Sequence, residues 1–205
     1  EALQKRIIAM TLPLDHPEGI TFDDLFDPEV LQRIQDEFST ATGVASIITH
    51  PDGTPITRPS NFTRLCFGVI RCTEAGRHAC FQSDALLGRY NPDGPTVQPC
   101  LSGGLWDAGA SITVGDRHIA NWLIGQIRDE TQSEQKIRSY ARSIGADEET
   151  AAQAFREVPT MSIERFRQVA QVVHTLANEL SKIAWINVQQ ARFISERQKK
   201  EGKSS

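Results

Sequence analysis

The sequence predicts an α+β domain: a five-stranded antiparallel sheet with helices inserted midway, an N-terminal helix and a long C-terminal helix. Three observations predict it. Short apolar runs bounded by turn residues occur at Val44–Thr49, Thr54–Thr57, Thr96–Cys100, Ala108–Val114 and His118–Ile127. A helical pattern fills the gap between the second and third of these, from Asn61 to about Tyr90. From Phe166 to Ile194 apolar residues recur in a three–four rhythm over many turns.

In chain order, Leu3, Ile7, Ile8 and Met10 stand at helical spacing before Pro13, Pro17 and Gly19 break the pattern. This reads as the end of a helix entering from upstream, and the opening Glu1 fits a piece of a longer polypeptide. Asp27-Pro28 is a helix start: a capping acid, then proline at the first turn, where no N–H is missed. Val30, Leu31, Ile34 and Phe38 form its apolar face, and Gly43 stops it. The first two strands are joined by His50-Pro51-Asp52-Gly53 as a tight hairpin. The helical stretch that follows is interrupted near Thr73, and Asn91-Pro92-Asp93-Gly94-Pro95 is a loop. Gly115-Asp116 turns the fourth strand into the fifth. Two short helices are expected at Asp129–Ile144 and Asp147–Val158. After Pro159, Ser162 can cap the last helix. A sheet covered on one face by helices, in this order, is the layout of a PAS-like sensor.

The rhythm Phe166, Val169, Val173, Leu176, Leu180, Ile183 continues through Asn187 and Gln190 to Ile194. Such a heptad makes a coiled-coil seam, in which a polar Asn at a core position fixes register and oligomer state. The competing reading is a helix packed on its own domain. The expected organisation is a helical linker over 1–19, a sensor domain over 20–160, a signalling helix over 161–200 and a disordered tail over 201–205.

Composition removes several function classes. With 205 residues, 39% of them apolar, the chain can bury one substantial core. The formal charge is −4 and the basic residues are scattered, so the stripe of a direct nucleic-acid binder is missing. No apolar run reaches the ~18–20 residues of a membrane span, and no signal peptide is visible. Cys66, Cys72, Cys80 and Cys100 are separated by five, seven and nineteen residues, without the close C-x-x-C pair of zinc fingers or thioredoxin-like motifs. A core of this size needs no disulfide staples, so a reducing, cytoplasmic setting is expected.

Several blocks resemble the PocR sensory domain family. Leu25-Phe26-Asp27, Leu31-Gln32-Arg33-Ile34-Gln35-Asp36 and Ala41-Thr42-Gly43-Val44 match its start, and the segment from Ile56 to Cys66 continues the match. Cys80 with Ser83-Asp84, the run Pro99-Cys100-Leu101-Ser102-Gly103-Gly104-Leu105-Trp106-Asp107-Ala108, and Ile124-Gly125-Gln126 complete it. The resemblance spans roughly residues 20–185. It implies a variant PAS-like ligand-binding domain serving as input to bacterial transcription activators, histidine kinases or other signalling proteins. Simple hydrocarbon derivatives such as small diols are the ligands proposed for the family. Cys72 lies outside the resemblance.

The candidate site lies between Asn61 and Gln126, where thiols, polar groups and two large aromatics share about a third of the chain. Cys66, Cys80 and Cys100 can hold a soft metal or an iron–sulfur cluster, or line an apolar cavity, or form a dithiol switch. Asn61, Trp106, Asp107, Asn121, Trp122 and Gln126 are the polar and aromatic candidates. Trp106 and Trp122 would wall a small-molecule pocket, and Asn61, Asp107 and Gln126 would grip a hydroxyl or carboxylate. Asn61 equally suits a helix cap, and Asp107 a Gly-rich turn. Alternation along the last strand puts Trp122 and Gln126 on one face, with Asn121 opposite unless a bulge intervenes.

The favoured function is a sensor of a small organic ligand, working as a homodimer and signalling to a downstream kinase or regulatory domain, without nucleic-acid or membrane contact. A metal or iron–sulfur redox sensor is the alternative. A thiol enzyme with Cys66, Cys80 or Cys100 as nucleophile and His78 or His118 as base ranks lower, because no catalytic signature accompanies it. A passive dimerisation element explains the long helix but gives the Asn61–Gln126 cluster no role.

Overall fold

The computed structural model describes residues 21–201. The helix expected over residues 1–10, the whole of the linker over 1–19 and the tail beyond Glu201 lie outside them. A short turn, α1 (Phe22–Leu25), is closed by reciprocal bonds between Thr21 and Asp24. Helix α2 (Pro28–Thr42) starts and stops as the sequence predicts. The Asp27 carboxylate accepts from the Glu29 and Val30 N–H groups, and Gly43 ends the helix at φ +77°. Its buried face is not the apolar stripe, however. Leu31, Gln32, Gln35 and Ser39 are buried, while Val30 and Ile34 stay exposed.

Strand β1 (Ala45–Thr49) follows. Then come a π-helix (Leu65–Ile70), α3 (Glu74–Leu87), β2 (Thr96–Pro99), β3 (Trp106–Val114) and β4 (Arg117–Ile127). The sheet is antiparallel with order β1-β4-β3-β2. It has four strands rather than the expected five. Residues 54–60 run beside β1 but meet it only at isolated bridges, Thr49 with Pro55 and Ser46 with Ser60. Pro55 and Pro59 have no N–H to give a ladder. Side chains replace it: Thr57 Oγ1 accepts from Ile48 N at 2.8 Å, and Gln35 Nε2 donates to the Ser46 and Arg58 carbonyls. Gln35 is fully buried for this purpose, which explains why a polar residue sits on the inner face of α2.

Both faces of the sheet are covered, not one, and β4 shows why: every residue from Ile119 to Ile127 is buried. On one face Ala108, Ala110, Ile112, Trp122 and Ile124 pack with Leu31 of α2 and with Phe166, Val169, Ala170, Val173 and Ala177 of the long helix α6 (Ile163–Glu201). On the other, Ile47 and Leu123 meet Leu87 of α3. Beside this layer the π-helix packs on α4 (Glu134–Ser143) and α5 (Glu148–Arg156) through Leu65, Val69, Ile70, Ile137, Ala151 and Phe155. Each such side chain, once fully buried, contributes about 1.5–3 kcal/mol. Helices α4 and α5 begin at their caps, Ser133 and Asp147, and end slightly earlier than predicted.

Helix α6 combines the two readings open in the sequence. Phe166, Ala170, Val173, Ala177, Ala184 and Val188 form a stripe buried on its own domain. The first members of the predicted seam, Phe166, Val169 and Val173, are buried on the domain; farther on Leu176 and Leu180 are half-buried, and Ile183, Asn187, Gln190 and Ile194 are exposed. Among the described residues no helix is long and apolar enough to cross a membrane.

Candidate functional site

The site forms where the π-helix, α3, the β2–β3 connection and the end of β4 meet. The π-helix closes with Arg71 N donating to the Cys66 carbonyl five residues back at 2.9 Å. That widened turn carries Cys66 at its start and Arg71 just past its end. Thr73 then caps α3 through the Gly76 N–H, and the buried face of α3 presents Gly76, Cys80, Ser83, Asp84 and Leu87. The connection after β2 brings in Cys100 and Ser102, and β3 supplies Asp107.

Gln126 arrives by a bulge. Trp106 pairs with Ile127 and Asp107 with Gly125, so Gln126 is the extra residue on β4. Its backbone is left-handed (φ +58°), and its N–H turns to Asp107 Oδ1 at 2.7 Å. Its side-chain oxygen accepts from Thr63 N at 2.7 Å and Thr63 Oγ1 at 3.0 Å, which anchors the start of the π-helix. Neighbouring Gly125 (φ +157°) has no room for a side chain: a Cβ there would lie 2.0 Å from Asp107 Oδ1. A strained, bulged strand that re-aims one side chain is a common device next to binding sites.

Two adjoining cavities of about 20 Å³ each flank Arg71, Asp84, Asp107 and Gln126. Each has room for about one water. One extends past Phe62 toward β1; the other is lined by all three inner thiols, Ser83 and Ser102. A wider cleft of about 640 Å³ lies outside α3 among Glu74, Arg77, His78 and Phe81, but it reaches none of these groups.

The electrostatics are those of a polar interior. Arg71 NH2 donates to Asp84 Oδ2 at 2.9 Å, and both side chains are largely buried. The guanidinium also lies 4.9 Å from the Phe62 ring and 5.7 Å from the Phe81 ring. Burial works against its charge, but Asp84 and the nearby thiols outweigh that and raise its pKa. Its Nε is buried without a hydrogen-bond partner. Burial pushes Asp84 up to about 6 against the pull of Arg71. Asp107 goes up to about 7, again by burial, opposed mainly by the Gln126 N–H. Yet Asp107 keeps accessible surface, because it faces the cavity.

The thiols are held in their protonated form. Burial raises Cys66, Cys80 and Cys100, and Asp107 adds to the rise in each. Cys80 Sγ lies 3.4 Å from Ser102 Oγ, which in turn lies 2.7 Å from the Tyr140 hydroxyl. Cys72 is exposed, away from the other three. Among the described residues no group of three or more His, Cys, Asp or Glu is arranged to hold a metal ion. A thiol nucleophile needs a lowered pKa and a base in reach. Here the pKa moves the other way, His78 bonds Gln82 on the outer cleft, and His118 sits at the opposite end of β4.

Of the residues singled out in the sequence, Cys66, Cys80, Cys100, Asp107 and Gln126 converge on the cavity. Three do not. Trp122 is buried on the α6 face, with Nε1 donating to Ser46 Oγ at 3.0 Å and its ring edge-on to Phe38. Trp106 packs on that same core. The bulge separates them from Gln126, so simple alternation placed Trp122 and Gln126 wrongly together. Asn61 is exposed in left-handed backbone (φ +53°), its amide 3.5 Å from the Val44 carbonyl, and it neither lines the cavity nor caps a helix. Asn121 faces away from Trp122 as alternation predicts, donating to Thr49 Oγ1 and the His50 carbonyl. Arg71 and Asp84 were the pair not selected. Asp84 falls four residues after Cys80 and three before Leu87, on the apolar face of α3, and a charge at that position signals a buried partner.

A family model described as the sensory domain found in PocR matches residues 24–185, from α1 into α6. No curated protein and no solved structure matches the chain. The match takes in every residue that lines the two cavities, and the chain belongs to the PocR sensory domain family.

Proposed function

We propose that this sensory domain binds a small, uncharged, hydroxyl-bearing molecule between Arg71, Asp84, Asp107 and Gln126. The observation that carries the reading is an unpartnered buried donor, Arg71 Nε, beside two adjoining cavities that Asp84, Asp107 and Gln126 also line. Asp107, part-exposed and lining both cavities, stands near it with Oδ1 already accepting from the Gln126 N–H. A hydroxyl both donates and accepts, so it satisfies a neighbouring donor and acceptor together. A fully charged ligand would have to leave water for a site that already holds an ion pair and a carboxyl near its neutral form. The protonated thiols then serve as small apolar wall. Small diols, the ligands implied by the family resemblance, match this chemistry, and binding one requires the two cavities of about 20 Å³ to widen.

The domain acts as the input module of a cytoplasmic bacterial signalling protein, with a kinase or transcription-regulating output elsewhere in the polypeptide. The sheet body is read as a variant PAS-like sensor, with the proline-containing segment 54–60 standing where a fifth strand would run. Residues 161–200 act as the signalling helix. Asp107 faces the cavity while its neighbours Trp106 and Ala108 pack on the α6 side, so a shift of β3 on binding reaches α6 directly. A coupling of ~1–3 kcal/mol between cavity and helix arrangement suffices for a switch. The exposed Ile183, Asn187 and Ile194 support a homodimer paired along that helix.

A thermal-shift screen of two- to four-carbon diols tests the reading. A ligand present at one hundred times its Kd adds about 2.7 kcal/mol, a rise of several degrees in Tm for a domain of this size. At least one diol is expected to give such a rise, and Asp107→Asn is expected to abolish it. A response that survives Asp107→Asn places binding elsewhere and contradicts the proposal.

A further inference from the structure

A second cleft, of about 350 Å³, lies outside the cavity, between the β2–β3 connection and the start of α4. Gly103, Gly104, Thr131, Ser133, Lys136 and Tyr140 line it. Its boundary with the thiol-lined cavity is thin, for Ser102 and Gly103 belong to both. Tyr140 stands on the outer side, half-buried, its hydroxyl 2.7 Å from Ser102 Oγ. Ser102 in turn touches Cys80 on the inner side. One hydrogen-bonded line, Cys80–Ser102–Tyr140, therefore crosses the whole partition.

We propose that Tyr140, seated on Ser102, is the partition between the inner cavity and the outer cleft, and that it sets both the access to the cavity and the largest ligand the domain accepts. The proposal rests on the cavity being the ligand site, as argued above. Space is the physical reason. Each inner cavity holds little more than one water, whereas the outer cleft takes several carbon atoms. Ser102 and Gly103 line both spaces, and removing the phenol ring takes away the support behind Ser102. The ring wall and the hydroxyl latch are separable: Tyr140→Phe keeps the wall and loses the bond to Ser102, and Tyr140→Ala loses both.

Thiol labelling tests the partition whether or not any diol binds. Each cysteine is followed by peptide mass spectrometry after treatment with methyl methanethiosulfonate, a small reagent, or fluorescein maleimide, a bulky one. Exposed Cys72 serves as the internal reference. Since a buried thiol reacts through its open population, Tyr140→Ala should speed Cys80 labelling by the small reagent about tenfold or more, and Tyr140→Phe about two- to fivefold. The bulky reagent should gain at Cys80 only in Tyr140→Ala. An unchanged Cys80 rate in both variants overturns the proposal. So does an equal gain at all three inner cysteines with both reagents, which marks a loosened fold. In the diol screen, Tyr140→Ala should move the preferred chain length upward by two or more carbons. If wild type binds no diol while Cys80 still opens in Tyr140→Ala, the partition stands and the ligand reading fails.

Discussion

Asp107 is the carboxyl that burial in the site shifts furthest. A carboxyl raised from its usual value near 4 to about 7 holds its proton more tightly in the folded chain than in the unfolded one. Folding is thus favoured by this group at low pH, and the contribution is lost as pH rises from about 4 through 7. Asp84, raised to about 6, acts in the same direction over a narrower window. Asp107→Asn keeps an acceptor for the Gln126 N–H but cannot ionise. Thermal melts across pH 4–8 should show the variant's stability falling less steeply than wild type, with a gain of about 1–3 kcal/mol at pH 8. Identical pH profiles would mean that Asp107 is not held near its neutral form. The pattern of a group that costs stability where it serves binding is common at functional sites.

At the scale of elements, α3 lies unusually close to the sheet. A Cβ at Gly109 of β3 would meet the Leu87 carbonyl oxygen at 2.5 Å, so backbone packs directly on backbone there. This contact fixes how deeply Cys80 and Asp84 reach toward β3. Gly109→Ala must push the helix outward, at about 1–3 kcal/mol, the usual range for overpacking. Urea unfolding measures the loss, and a substitution within 0.5 kcal/mol of wild type would show that α3 is free to shift. Helix caps and turn residues gave the elements their order and several of their ends: Asp27-Pro28, Gly43 and Asp147 act as the sequence suggests and the chain breaks at Thr73, whereas the helix expected from Asp129 starts only at its cap Ser133. What the sequence hid was non-local. Pro55 and Pro59 turn an expected strand into a side-chain-stitched edge, and a bulge at Gln126 takes that side chain off the face it was expected to share with Trp122. Alternation has period two, so a single extra residue is enough. The three cysteines could be picked out as a set, but their meeting with Arg71 depends on a π-turn that no local pattern announces.

For the whole molecule, the long helix carries two adjacent apolar stripes, one buried and one exposed, and the exposed one is where the proposed pairing is tested. Phe166 to Val188 bury one stripe in the core, and Ile183, Phe193 and Ile194 leave apolar surface beside it. Ile183→Glu together with Ile194→Glu should convert a dimer to a monomer in sedimentation or light scattering, while leaving Tm of the sheet body within a few degrees. Asn187→Leu should tighten the pair or change its register, because a buried polar residue at such a seam lowers stability in exchange for register. An unaltered oligomeric state in both variants would remove the seam from the account.

The central claim is that the cavity is the sensing site and that α6 reads it. Hydrogen–deuterium exchange with and without the best-binding diol measures both parts at once. The account predicts slower exchange over residues 65–71, 80–84 and 100–107, accompanied by a change within residues 163–201. Protection confined to other surfaces, such as the outer cleft of α3 around Arg77 and His78, would contradict it.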